Sequence, residues 1–133
     1  MERIRILVPS EPIPLARVRF SGRHCYQPKR NREYREVVQQ AARSAMGNLP
    51  PLQGGIAATV KLYRRYRPTA RNYGDVDNHL KALFDGMNQI VFADDAQITK
   101  CVIEKFTDKV QPRAEIELAT VGQSSAAGGD EKC

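Results

Sequence analysis

Two acidic clusters in this 133-residue chain have the residue types and spacing for chemistry. The first, GDVDNHLK, places Asp75 and Asp77 one residue apart and Lys81 four residues after the second. The second, ADDAQ, sets Asp94 and Asp95 side by side. Carboxylates are hard oxygen donors. With almost no histidine or cysteine nearby, they favour Mg²⁺ or Mn²⁺ over zinc. Adjacent carboxylates also repel, which costs stability unless a cation or a donor lies between them. An arginine-rich segment directly precedes Asp75, as suits a place where a phosphodiester meets a metal ion.

A purely structural account competes with this. Aspartate is a favoured helix N-cap, and a second acid in the first turn complements the helix dipole; together they contribute about 1 kcal/mol. Asp75 as cap, Asp77 in the first turn and an Asp77–Lys81 surface pair would need no metal. Other chemistry has less support. His24 and His79 lack spaced partners and are expected on the surface. There is no Ser-His-Asp or Cys-His arrangement and no glycine-rich phosphate loop.

The elements that must position these residues follow from periodicity. RIRILVP reads as a first strand, stopped by Pro9, Pro12 and Pro14. A basic loop, LARVRFSGRHCYQPKR, comes next. Tyr34, Val37, Val38, Ala41, Ala42 and Ala45 then form one helical stripe, with Asn31 the expected N-cap. GIAATVKLYRR reads as a strand with Ala58, Val60 and Leu62 on one face. A second helix is expected from Val76 to Ile90, burying Leu80, Leu83, Phe84 and Met87. ITKCVIEKF and RAEIELATV read as two final strands, with TDKVQP joining them as a hairpin. The order β-α-β-α-β-β implies an α/β (α+β) fold: one small domain over residues 1–120, with a mixed four-stranded sheet and two helices. The small, polar, glycine-rich stretch 121–133 is expected to be a disordered tail.

That second helix sets a geometric question. About 14 residues span roughly 21 Å. Asp95 therefore reaches Asp77 only if the chain turns back along the helix, or if the pairing crosses a dimer interface.

Charge is unevenly distributed. Residues 1–73 carry 15 Lys+Arg against 4 Asp+Glu, a net +11, and the remainder carries 6 against 11, a net −5. A basic first half suits a polyanionic partner. Three widely spaced cysteines without a CxxC argue against a disulfide framework and for a reducing, cytoplasmic setting. No apolar run approaches the ~20 residues of a membrane span. The opening MERIRILVPSEP has charges within its short apolar run and does not read as a signal peptide.

The stretch GDVDNHLKALFDGMNQIVFADDAQI closely resembles the signature of the RusA-type Holliday junction resolvases, structure-specific DNA endonucleases of phages and prophages. DxDN, the following lysine, Phe-Asp and Asp-Asp-Ala-Gln are all present. The arginine-rich PIPLARVRFSGRHCYQPKRNREYREVV is similar to the opening of many members. The resemblance covers roughly residues 3 to 119. It implies a small mixed α/β domain acting on four-way DNA junctions as a homodimer with Mg²⁺. It further implies Asp75, Asp77 and Asp95 as metal ligands, Lys81 as the functional lysine, and Asp94 as a companion acid.

On this reading Lys81 stabilises the transition-state charge or orients the attacking water. Arg17, Arg19, Arg23, Lys29, Arg30, Arg65 and Arg67 are the candidates for gripping the DNA backbone. Three alternatives stay open at this point. One is a DNA-binding module without chemistry. Another is a DxD enzyme such as a glycosyltransferase, for which the chain is short. The third is a nuclease acting mainly on flaps or forks.

Overall fold

The computed structural model describes residues 2–16, 19–21, 24–26 and 28–121. Six strands and two helices form in the order β1 (Arg3–Val8), β2 (Arg19–Ser21), β3 (His24–Tyr26), α1 (Lys29–Met46), β4 (Ile56–Arg64), α2 (Val76–Met87), β5 (Ile98–Thr107) and β6 (Arg113–Thr120). Four of the strands make one mixed sheet in the order β1-β6-β4-β5. This is the expected α+β domain of four strands and two helices. The short antiparallel pair β2–β3 lies within the segment expected to be a basic loop.

Strict alternation builds the sheet centre. β4 buries Ile56, Ala58, Val60 and Leu62, and β6 buries Ala114, Ile116 and Leu118. Register puts these side chains in rows: Ile6 opposite Ile116 and Ile116 opposite Val60, with Val8, Ala114 and Leu62 one step on. Helix α1 adds Tyr34, Val38, Ala42 and Met46 to the same core. The other sheet face mixes ion pairs such as Arg3–Glu117, at 2.8 Å, with exposed Leu7 and Val102 and the stacked Tyr63 and Phe106 rings.

Four local expectations are corrected. β5 and β6 do not form a hairpin: β4 and β5 run parallel with α2 as their crossover, and β6 inserts between β1 and β4. The physical reason is burial. β6 has a full apolar face and takes a central position, whereas β5, partly exposed on both faces, takes an edge. The linker from Asp108 crosses the end of β4, and the Asp108 amide donates to the Arg64 carbonyl at 2.8 Å. Helix α1 starts at Lys29 after Pro28, so Asn31 lies inside it; its side-chain amide donates to the Pro14 carbonyl at 3.0 Å. Helix α2 stops at Met87 rather than Ile90, because Asn88 is extended and Gln89 takes φ 68°. The fourth correction, His79, belongs to the site. Of the 121–133 stretch, only Val121 is among the described residues.

The two helices touch where Gly86 meets Val38. A Cβ at Gly86 would lie 2.6 Å from Val38 Cγ1 and 2.7 Å from its Cβ. Overpacking of a buried contact costs about 1–3 kcal/mol, against a helix-propensity gain of about 1 kcal/mol for Gly→Ala. Gly86→Ala is therefore expected to lower the urea midpoint. In the Val38→Ala background the loss should shrink, since the Cγ1 contact is gone, but not vanish, because alanine keeps the Cβ that lies 2.7 Å away.

Candidate active site

The segment between β4 and α2 delivers Asp75, and buried polar contacts hold it rigidly. It contains a single 3₁₀ turn, Arg71–Tyr73. Tyr73 is fully buried. Its hydroxyl lies 2.9 Å from the Leu62 carbonyl and 2.7 Å from the Phe106 carbonyl, and accepts the Phe106 amide at 3.1 Å. Tyr73 thus pins the segment to the carboxyl ends of the parallel strands β4 and β5, where open α/β sheets commonly place ligands.

The Tyr73 carbonyl is gripped from two sides. The buried Arg64 guanidinium donates to it at 2.6 Å and pairs with Glu11 at 3.2 Å. His79 Nε2 lies 2.7 Å from the same oxygen. A carbonyl only accepts, so Nε2 carries the hydrogen. His79 is 1 % exposed, contrary to the surface position expected for it. The sign was in the spacing: His79, Leu83 and Met87 are successive i+4 positions of one buried stripe. Burial drives the His79 pKa down to about 4, opposed by its hydrogen bond to the Tyr73 carbonyl. The charges of Arg64 and Lys105 act with burial, and that of Asp75 acts against it.

Gly74 completes the delivery. Its φ is 97°, and a Cβ would lie 2.8 Å from Pro14 Cγ and 3.0 Å from His79 Nε2. Only glycine fits both the conformation and the space. Asp75 follows at the N-cap position of α2, as anticipated, yet its carboxylate accepts no cap hydrogen bond. The structural account of this aspartate therefore lacks the bond it depends on. Asp77 lies in the first turn, exposed, with Lys81 Nζ 3.5 Å from its Oδ2. Both side chains are solvated, so the pair contributes little to stability.

The second acidic cluster follows α2. Asp94 has a structural use: its Oδ1 accepts the Ala96 amide at 3.2 Å, closing the 3₁₀ turn Asp95–Gln97. Gln97 accepts the Ala93 amide at 2.9 Å and donates to the Leu52 and Gly54 carbonyls at 2.9 and 3.0 Å. The turn is thereby fixed, and Asp95 stands on it exposed. Partial burial, then a hydrogen bond and the charge of Asp94, then the charge of Asp85, push the Asp95 carboxyl upward. Asp85 was not singled out from sequence, although it continues the i, i+4 series Asp77–Lys81–Asp85 along the exposed face of α2. Arg35 lies 3.4 Å from it.

The clusters remain separate. Asp75 and Asp77 sit at the start of a 12-residue helix and Asp95 beyond its end. Such a helix is about 18 Å long. Among the described residues, no three histidine, cysteine, aspartate or glutamate side chains come together as a metal site. One copy of the chain does not fold Asp95 back to Asp75 and Asp77.

The candidate DNA-gripping residues are partly engaged elsewhere. Lys29 pairs with Glu33 at 3.8 Å and Arg65 with Glu11 at 3.2 Å. Arg30 and Arg67 are exposed. Arg19 lies in β2, and Arg17 and Arg23 lie outside the described residues. Sequence reasoning missed Arg71, exposed beside Asp75, although it closes the same basic run. No helix among the described residues is long and apolar enough to cross a membrane.

Comparison with known proteins agrees with this arrangement. The uncharacterized protein YqaN of Bacillus subtilis (strain 168) is 26% identical, over 91% of this chain and 99% of its own length. The profile of the family described as Endodeoxyribonuclease RusA matches residues 9–119, from the end of β1 almost to the end of β6. That span contains both acidic clusters and the clamp beneath Asp75, and the chain belongs to the RusA endodeoxyribonuclease family.

Proposed function

We propose that two copies of this chain form a Mg²⁺-dependent endonuclease that resolves four-way DNA junctions by paired, symmetric phosphodiester hydrolysis. The observation that carries this reading is Asp75. A rigid buried clamp delivers it to a helix start, and its carboxylate is not used in the cap bond that would explain it structurally. A DNA-binding module without chemistry has no need of such an aspartate.

The donor set suits a hard divalent cation. Asp75 and Asp77 offer solvated carboxylates, and Asp95 is crowded by Asp94 and Asp85, repulsion that a cation would relieve. Asp75, Asp77 and Asp95 would hold the ion, with Mn²⁺ able to replace Mg²⁺. When bound, such an ion polarises a phosphodiester and acidifies a water for in-line attack. Because one copy keeps Asp95 apart from the other two, each centre takes Asp75 and Asp77 from one copy and Asp95 from the next. A two-fold dimer then presents two equivalent centres, matching the approximate two-fold symmetry of a four-way junction.

The remaining work falls to the chain's own side chains. Lys81, tethered beside Asp77, brings a positive charge to the phosphate and stabilises charge developing there. Arg30, Arg67 and Arg71 bind neighbouring phosphates, a salt-dependent contribution without sequence information.

The test is a synthetic four-way junction with Mg²⁺. Asp75→Asn, Asp77→Asn and Asp95→Asn should each lower cleavage by about a thousand-fold, the several kcal/mol expected for loss of a metal ligand. Junction binding should persist. Wild-type cutting by any two of the three would sink the assignment. Single nicks on flaps, in place of paired nicks on the junction, would move the substrate elsewhere.

A further inference from the structure

We propose that the cleft beside Asp75 is a nucleotide subsite, which holds one unstacked nucleotide flanking the phosphodiester to be cut. The cleft encloses about 480 Å³ between the starts of α1 and α2, the end of β4 and the segment before β2. That is within the range of small-molecule clefts, about 300–1,000 Å³. Asp75 stands on its edge.

Its lining divides by chemistry. Arg30 and Arg71 are exposed on the cleft, and neither is paired with a carboxylate among the described residues. A third cation, Arg64, is buried and already engaged by the Tyr73 carbonyl and by Glu11, a carboxylate it shares with Arg65. The free positive charge is therefore two guanidinium groups, which are forked donors for phosphate oxygens. Pro14 and Leu15 line it as an apolar wall, and Tyr66, with the Arg64 guanidinium 4.9 Å over one face of its ring, adds an aromatic side chain. The wall is built in: Asn31 donates to the Pro14 carbonyl at 3.0 Å, and the Leu15 amide donates to the Asn78 carbonyl at 3.0 Å. Asn72 and Asn78 also line the cleft, and their side-chain amides make no hydrogen bond among the described residues.

Two free guanidiniums, two free amides and an apolar and aromatic wall are the groups that recognise the phosphates, edge and face of a nucleotide. A base stacked in a duplex hides its faces, so only one that has left its stack can enter. A junction, whose strands change partners, supplies such nucleotides without breaking a continuous duplex.

The inference rests on the nuclease reading only for what is cut beside the cleft, and its test does not require cutting. The probes are the 5′-phosphorylated dinucleotides pTpT and pApA, with inorganic phosphate alone as the comparison. Side-chain ¹⁵N resonances of Arg71, Asn72 and Asn78 report on the cleft. Both dinucleotides should shift all three, and should shift the asparagine amides differently from each other. Phosphate alone should shift Arg71 only. Arg71→Ala should weaken dinucleotide binding roughly ten-fold, the loss of a charge-assisted hydrogen bond. Asn72→Trp, which fills the mouth, should abolish the Asn78 shift.

Equal shifts with phosphate alone, or dinucleotide shifts confined to other surfaces, would overturn the subsite. Cleft binding by a protein that cuts no junction would keep the subsite and remove the junction-resolving reading. Junction cutting without the dinucleotide shifts would do the reverse.

Discussion

Subunits carrying Asp77→Asn, mixed with subunits carrying Asp95→Asn, are expected to regain junction nicking that neither variant shows alone. The argument is geometric. Asp77 stands in the first turn of α2 and Asp95 beyond its far end, and no metal-holding group of three forms within the described residues of one chain. If each centre joins the Asp75–Asp77 end of one copy to the Asp95 of the other, a mixed dimer has one doubly damaged centre and one intact. Random mixing makes half the dimers mixed, each with one working centre of two, so nicking should return to roughly a quarter of the wild-type level. Those products should be single nicks, since the opposing strand faces the damaged centre. Co-refolding the two variants before the assay ensures exchange. If each centre were complete within one chain, every centre in the mixture would be damaged, and the mixture would stay as inactive as its parts.

A second large effect is expected in stability against pH, from His79. Its pKa is about 4 in the folded chain against an ordinary 6.5. The folded state therefore resists a proton that the unfolded state accepts. The contribution is intact above pH 6.5, erodes as pH falls, and levels off below the folded pKa. In full it amounts to on the order of 3 kcal/mol, with roughly 2.5 kcal/mol lost by pH 4.5. Urea unfolding at pH 7, 5.5 and 4.5 in a chelating buffer measures it. The control is His79→Gln, whose amide can still donate to the Tyr73 carbonyl but does not titrate. The variant should lose that much less stability than the wild type over the same range. Parallel curves for the two proteins would mean that His79 is not the group responsible.

Much of this architecture was readable before any coordinates. The alternation in Ile56–Leu62 and Ala114–Leu118 marks half-buried strands without ambiguity, because period two leaves one solvated face. The stripe from Tyr34 to Ala45 likewise fixes α1, and GDVD fixes where α2 begins. What was not readable depends on contacts distant in sequence. The strand order requires knowing that β6 pairs with both β1 and β4, which no local pattern states. His79 was misjudged because histidine is usually assigned by its polarity, while position 79 belongs to the stripe through Leu83 and Met87. Asn31 resembles a cap in sequence, but its actual partner is the Pro14 carbonyl, 17 residues away. The cleft is invisible for the same reason: its walls come from four separate parts of the chain. Helix length alone only poses the question of the acids' separation, since a return of the chain along α2 stays open in sequence; the structure places Asp95 beyond the helix end.

The position of β6 bears on how the protein is made. β6, the last strand among the described residues, fills the interior of the sheet, between β1 and β4. Until it emerges from the ribosome, the apolar faces of β1 and β4 have no neighbour between them. Sheets closed by such distant pairings assemble late and slowly, and their unpaired strands are prone to aggregate. Both acidic clusters are translated before β6, but the sheet beneath their helix is complete only after it. A chain arrested or truncated before β6 thus carries every candidate catalytic residue without the platform that holds them, which keeps a DNA-cutting activity from appearing before β6 is made.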